Sequence, residues 1–253
     1  MGHRIITIDG AVVITDGILL QDFSFPQEGL VAWYDAADVS SITSSNNIVS
    51  QWNDKSGNDY HAIQERGGAT TLTSTLGGRN ILNFDHACMR LPAATIPTGN
   101  SNYTILMVWQ ADRIQTGINF DSGSNIHQMG LYMSSNNDLQ TFGHCEGNNN
   151  QSLVAHVGEY ISNTPLLATT SYNGVDRILR YSGEFHSGAF EVTEECILQD
   201  TGTVNSSLGG AIANSLYDIT GFIAEVIIYH RALSASEIQH AEGYLTSKWG
   251  LVY

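Results

Sequence analysis

Basic residues are scarce in this 253-residue chain: 10 Lys and Arg stand against 25 Asp and Glu, for a formal net charge of −15 at pH 7. A surface field of that sign repels phosphate backbones and anionic lipid, which excludes nucleic acid as a partner class. Cysteine is scarce too. Cys88, Cys145 and Cys196 are odd in number, far apart and never in a C-x-x-C pair, so neither a disulfide framework nor a zinc ribbon is supported. Long apolar runs are missing, so no membrane span is expected. The opening MGHRIITIDG has Arg4 followed by only two apolar residues before Thr7 and Asp9 interrupt, too few for the apolar region of a signal peptide. Together these absences predict a soluble protein made in a reducing cytoplasm with free thiols.

The motifs of common enzymes are absent as well. No G-x-S-x-G elbow, H-E-x-x-H pair, phosphate loop or dinucleotide fingerprint occurs. Retaining glycoside hydrolysis needs two carboxylates about 5–5.5 Å apart, which an E-x-D-x-x-E run on a strand would supply. The nearest stretch, Glu191 to Glu195, offers only Glu191 and Glu195 on one face with no aspartate between, and reads as an acidic sheet edge. His144-Cys145-Glu146 is the one cluster of metal-capable side chains, but neighbours in a strand point to opposite faces. The chain is expected not to be an enzyme.

With 4 Pro, no long helical stretch and much Gly, Ser, Thr and Asn, the composition is that of many short strands and turns. The clearest segment is GFIAEVIIYHRALSASEIQHAEGYLTSKWGL, residues 221 to 251. Phe222, Ala224, Val226 and Ile228 alternate with Ile223, Glu225, Ile227 and Tyr229, a strand apolar on both faces and therefore central to a covered sheet. Ser234 and Glu237 then form a capping box. Ile238, Ala241, Leu245 and Trp249 share a helical face, Lys248 sits at the negative end of the helix dipole, and Gly250 stops the helix.

At the other end, Asp9-Gly10 and Asp16-Gly17 flank AVVIT, which predicts a three-stranded meander over residues 1–28. About twenty residues cannot bury a core of their own, so this segment is either an extra layer on its own domain or an anchoring arm for another chain. Residues 29–253 form the main domain. Its strands include Gly29–Asp35, Ile81–Asp85, Tyr103–Gln110 and the pair around Asn173-Gly174, with no 20 to 50 residue repeat, which favours a two-sheet antiparallel sandwich.

GLVAWYDAAD and VSQWNDKSGNDYHA within residues 29 to 62, ILNFD at 81 to 85, YNGVDRILRYSG at 172 to 183 and the closing segment carry a resemblance. They resemble the concanavalin A-like, laminin-G-like jelly-roll domains of bacterial and phage proteins, over about residues 29 to 251. The resemblance implies an all-β jelly roll of two antiparallel sheets, with first and last strands adjacent, one short C-terminal helix and binding loops on a rim or concave face. It also implies binding of carbohydrate or protein, often with Ca²⁺ on the rim.

Two sets of candidate residues follow. Asp54, Asn58 and Asp59 surround Gly57 and offer hard oxygen ligands for Ca²⁺, or else make turns with their own backbone. For a glycan, Tyr60 and Tyr132 beside polar loops offer stacking faces, and Asn148, Asn149 and Asn150 in GNNNQS, an expected exposed loop, offer amides for hydroxyls. The expected function is a non-enzymatic virion surface protein of phage decoration or tail-adhesin type. It would be held to a capsid or tail protein by its N-terminal segment, form a homo-oligomer and bind a glycan or host cell surface. The alternative is a polysaccharide-active enzyme or its carbohydrate-binding module.

Overall fold

The computed structural model of the chain describes residues 5–8, 11–14, 25–95, 97–98, 100–111, 115–121, 128–133, 139–145, 148–155, 164–183, 186–195, 206–212 and 218–251. Near the N-terminus, Ile5–Ile8 (β1) and Ala11–Ile14 (β2) pair as a two-stranded antiparallel sheet. The third expected strand of the meander and both Asp-Gly turns lie outside the described residues.

All other strands belong to one sixteen-stranded antiparallel sheet. Its first half comprises Leu30–Asp35 (β3), Ile42–Ser45 (β4), Ile48–Trp52 (β5), Ala62–Arg66 (β6), Thr70–Leu76 (β7), Arg79–Arg90 (β8) and Tyr103–Ala111 (β9). Next come Gln115–Asp121 (β10), Gln128–Met133 (β11), Leu139–Cys145 (β12) and Asn148–Ala155 (β13). Leu166–Tyr172 (β14), Asp176–Gly183 (β15), His186–Glu195 (β16), Ser207–Leu208 (β17) and Ile219–Tyr229 (β18) complete it, and the helix Ala235–Trp249 (α1) follows. The fold is all-β with one short C-terminal helix.

The strand order β13-β12-β11-β10-β17-β8-β18-β9-β14-β15-β16 places six strands between β12 and β14. Yet the Thr170 hydroxyl of β14 lies 3.3 Å from that of Thr141 on β12, so the sheet curls back over itself. Leu131, Leu139, Trp52, Phe84, Trp109, Tyr172 and Val226 fill the space enclosed. As the family resemblance implies, the first strand of the body pairs with the last, β3 with β18. The acidic stretch ends up as expected, on β16 at one end of the strand order with Glu191 and Glu195 exposed, where charge discourages pairing with another chain.

Strand β18 is the centre of the sheet. Its first half pairs with β8, its second half with β3, and almost its whole length with β9. Strict alternation would put Glu225 on the same face as Ile223, but the ladder to β9 steps from Ile223–Trp109 to Glu225–Val108, so Ala224 is an extra, bulged residue. The bulge flips the pattern. Ile223, Val226 and Ile228 face the enclosed core, while Phe222, Ala224, Ile227 and Tyr229 join a second cluster. That second cluster lies under α1 and takes in Ile238, Ala241, Leu245 and Trp249. Gly221 permits the close approach at this crossing, since a Cβ there would stand 2.1 Å from the Gln110 carbonyl oxygen and its φ is +150°.

The helix begins and ends as its sequence predicts. Ser234 and Glu237 form the reciprocal capping box, and Gly250 closes the C-terminus in the left-handed region at φ 67°. Two buried acids tie it down. The Glu242 carboxylate accepts from Arg180 Nε at 3.0 Å, Arg180 Nη2 at 2.9 Å and the Thr169 hydroxyl at 2.9 Å. Glu225, fully buried, accepts from Trp33 Nε1 at 2.7 Å, Trp249 Nε1 at 2.6 Å and the Tyr244 hydroxyl at 3.3 Å, and pairs with Lys248 Nζ at 2.7 Å. Lys248 also meets Asp35 at 2.7 Å, and Lys55 bridges Asp35 and Asp38 at 2.9 Å each. Burial pushes the Glu225 carboxyl up from its ordinary range, against the pull of Lys248.

Removing the cation from this chain of charges leaves Glu225 ionised under the helix with only neutral donors. Lys248→Met is expected to cost about 3–5 kcal/mol, and Lys248→Met with Glu225→Gln appreciably less than the two single costs added. Denaturant melts of the four proteins measure this; an additive result would mean that the two groups do not interact. Acid acts on the helix start. Bonds from Arg231 and the Ser234 backbone hold Glu237 at about 2, below its ordinary 4.5. Because the folded value is the lower one, the capping contribution is complete above pH 4.5 and is lost as pH falls toward 2. Melting temperatures of wild type and Glu237→Gln should therefore converge over that interval.

Candidate functional site

Loop 53–61 joins β5 to β6 and lies along the edge of β3 that β18 leaves open. Asp54 organises it. Its Oδ1 accepts from the backbone N–H of Ser56 and of Trp33, each at 2.8 Å, and its Oδ2 accepts from the Ser56 hydroxyl at 2.7 Å and the Tyr60 N–H at 3.1 Å. The Asp54-to-Ser56 bond is the Asx turn expected of a short acidic side chain before a glycine. Gly57 at φ 93° and Asp59 at φ 60° complete the reversal in left-handed conformations.

The remaining contacts close the edge of β3. The Lys55 N–H donates to the Trp33 carbonyl at 2.8 Å. Asn58 Nδ2 donates to the Val31 carbonyl at 3.0 Å, and the Ser56 hydroxyl oxygen lies 2.9 Å from the same carbonyl. The loop thus substitutes for a neighbouring strand, using side-chain groups where a ladder would use backbone.

This geometry supports the turn-making reading of the loop's oxygens. A carboxylate has about four lone-pair sites, and all four at Asp54 are taken by protein donors. Asn58 is engaged through its amide, and Asp59 is exposed at the tip. Turn making and edge capping engage Asp54 and Asn58.

Tyr60 is half-buried beside Asp59, and its carbonyl accepts a hydrogen bond from the buried Tyr34 hydroxyl. The Asp54 N–H donates to His61 Nδ1 at 3.1 Å, which makes Nδ1 the acceptor nitrogen of that ring. Asn58, Asp59 and Tyr60 therefore sit side by side on a backbone fixed from beneath. Asn58 and Asp59 are exposed and Tyr60 is half-buried, and the Asn58 amide donates to the Leu30 and Val31 carbonyls.

The other candidates lie on strands β11 and β13. Asn148, Asn149 and Asn150 begin β13 and so are strand residues, not the exposed loop that their composition suggested, because Asn148 pairs with Cys145 across the hairpin. Tyr132 lies on β11 opposite Gln140 of β12. Gln140 and Cys145 are five residues apart on β12, so Tyr132 and Asn148 are separated by about 17 Å along the ladder. Of the tryptophans, Trp52, Trp109 and Trp249 are fully buried, while Trp33 has Lys55 4.3 Å over its ring and Phe25 against it edge-on.

The polar residues that matter most here, Lys55 and Glu225, carry no local signal of their role. Glu225 shows in the sequence only as a lone charge in an apolar strand. It shares Lys248 with Asp35, and both carboxylates are buried, Asp35 pairing also with Lys55 and Glu225 accepting also from two indole N–H groups.

No family model and no curated protein matches the chain. Solved structures do resemble it. Domain 4 of AbnA, a GH43 extracellular arabinanase from Geobacillus stearothermophilus solved in complex with arabinotriose, aligns with a TM-score of 0.53 at 15% identity over 84% of this chain and 97% of that one. A GH54 α-L-arabinofuranosidase aligns with a TM-score of 0.61 at 10% identity over 92% of this chain and 61% of that one. The binding domain of botulinum neurotoxin serotype G aligns at 0.54, with 12% identity, over 86% and 51%. What is shared is the fold, at 10–15% identity.

Asp54→Ala should release loop 53–61 from β3. With four accepted bonds lost and several donors left without partners, the expected cost is about 2–4 kcal/mol, accompanied by faster proteolysis within the loop. Because the lone pairs of Asp54 are already taken, the wild-type melting temperature should not move when Ca²⁺ or a chelator is added. A rise with Ca²⁺ would restore the metal reading of Asp54, Asn58 and Asp59.

Proposed function

We propose that this chain is a glycan-binding domain of the concanavalin A-like jelly-roll type, acting as the carbohydrate-binding module of a polysaccharide-active system and binding without turnover. The observation that carries the reading is the match to domain 4 of the arabinanase, which is covered almost end to end and whose solved form holds arabinotriose. The loop 53–61 supports it with three hydroxyl-compatible side chains on a rigid base.

A second reading keeps the particle-surface role, with residues 1–24 anchoring the domain to a capsid or tail protein in an oligomer and the body binding a host glycan. The observation favouring it is that β1 and β2 form a sheet of their own, with no ladder to the body among the described residues. A lone two-stranded hairpin is at best marginally stable, so it needs a surface to rest on. Phe25, by contrast, is buried against Trp33 and Tyr244, and the Pro26 carbonyl accepts from the Tyr229 hydroxyl at 2.8 Å, so both residues belong to the body.

A glycan array combined with a reducing-sugar assay on purified protein tests the proposal, with binding and no sugar release expected. Release would replace the module reading with an enzyme. A chain starting at Phe25 should bind equally well if glycan recognition resides in the body. Loss of oligomerisation in that shortened chain, with binding kept, would support the anchoring role of the segment.

A further inference from the structure

We infer that the glycan this domain takes is uncharged, and that the domain discriminates against chains bearing uronate, sialate, sulfate or phosphate. The inference rests on the glycan-binding reading above and narrows its ligand class. It comes from where the cations are. Of the 10 Lys and Arg residues, eight lie among the described residues, and six of these are joined to carboxylates: Lys55, Arg66, Arg90, Arg180, Arg231 and Lys248. Arg177 is fully buried, and Arg79 stands exposed at the start of β8, where it donates to the Gly77 carbonyl.

Recognition of an anionic sugar relies on charge-assisted bonds from a cation that can turn to the ligand. On loop 53–61 the cation is Lys55, and it is spent on Asp35, Asp38 and the face of Trp33. The charge presented at the loop tip is instead Asp59, exposed beside Asn58 and Tyr60. An acidic sugar placed there meets a like charge at close range, within a surface whose net charge is −15. Hydroxyls and ring faces meet no such penalty.

Affinity electrophoresis of the full chain in gels containing polysaccharide tests this. The probes are arabinan, xylan, polygalacturonate and carboxyl-reduced polygalacturonate, the last two sharing a backbone and differing in charge. The expected result is retardation by at least one uncharged polymer, unchanged between about 20 mM and 300 mM salt, with any affinity for the reduced polymer at least about tenfold above that for its acidic parent at low salt. Retardation by polygalacturonate at low salt that weakens as salt rises would overturn the inference while leaving glycan binding intact. No retardation by any polymer, and none on a wider array, would overturn the glycan-binding reading and the inference with it. Asp59→Lys sets a free cation on the loop and should raise retention on polygalacturonate. An unchanged retention would remove loop 53–61 as the place where the discrimination is made.

Discussion

A single buried carboxylate holds the architecture together. Glu225 sits in the middle of the central strand, and the bulge at Ala224 turns it toward the helix when strict alternation would have sent it into the enclosed core. An ionised group in that position is tolerated only if its lone pairs are filled, and two indole N–H groups, a phenol and an ammonium fill them. Those donors come from β3 and from the last turns of α1, so satisfying Glu225 brings the first strand, the last strand and the helix into one register.

The same chain of charges runs outward to loop 53–61. Lys248 shares Asp35 with Lys55, and Lys55 carries the contact to Asp38 and the Trp33 ring. Beneath the loop, Asp54 closes the exposed edge of β3 through hydrogen bonds that a neighbouring strand would otherwise make. The tip residues inherit this rigidity. Groups held on a fixed backbone lose less conformational freedom when any ligand arrives.

The use of cations inside the body has a consequence at the surface. Positive charge pairs with buried or half-buried acids, and the surplus of negative charge is left facing solvent. The whole chain carries a formal net charge of −15 at pH 7. The solved structures sharing this fold, at 10–15% identity, include a domain holding arabinotriose, an arabinofuranosidase and a toxin binding domain. A layered β scaffold supports all of these because function resides in the loops and edges laid on it.

What the sequence by itself determined were the features whose cause is local. The capping box at Ser234 and Glu237, the stop at Gly250, the reversal at Asn173-Gly174 and the doubly apolar β18 follow from hydrogen bonds and side-chain periodicity within a few residues, and each stands as the sequence predicts. Tertiary structure decided what depends on partners distant in the chain. The bulge at Ala224 arises from the ladder with β9, more than a hundred residues earlier. The strand at Asn148 to Asn150 exists because β12 offers it an edge, although its composition is that of a loop. The oxygens of Asp54 look free to a reader of the sequence, since Asp, Asn and Gly in a short loop serve a cation and a turn equally well. The structure shows three of the donors to them within the loop and a fourth, the Trp33 N–H, on the edge of β3 some twenty residues away.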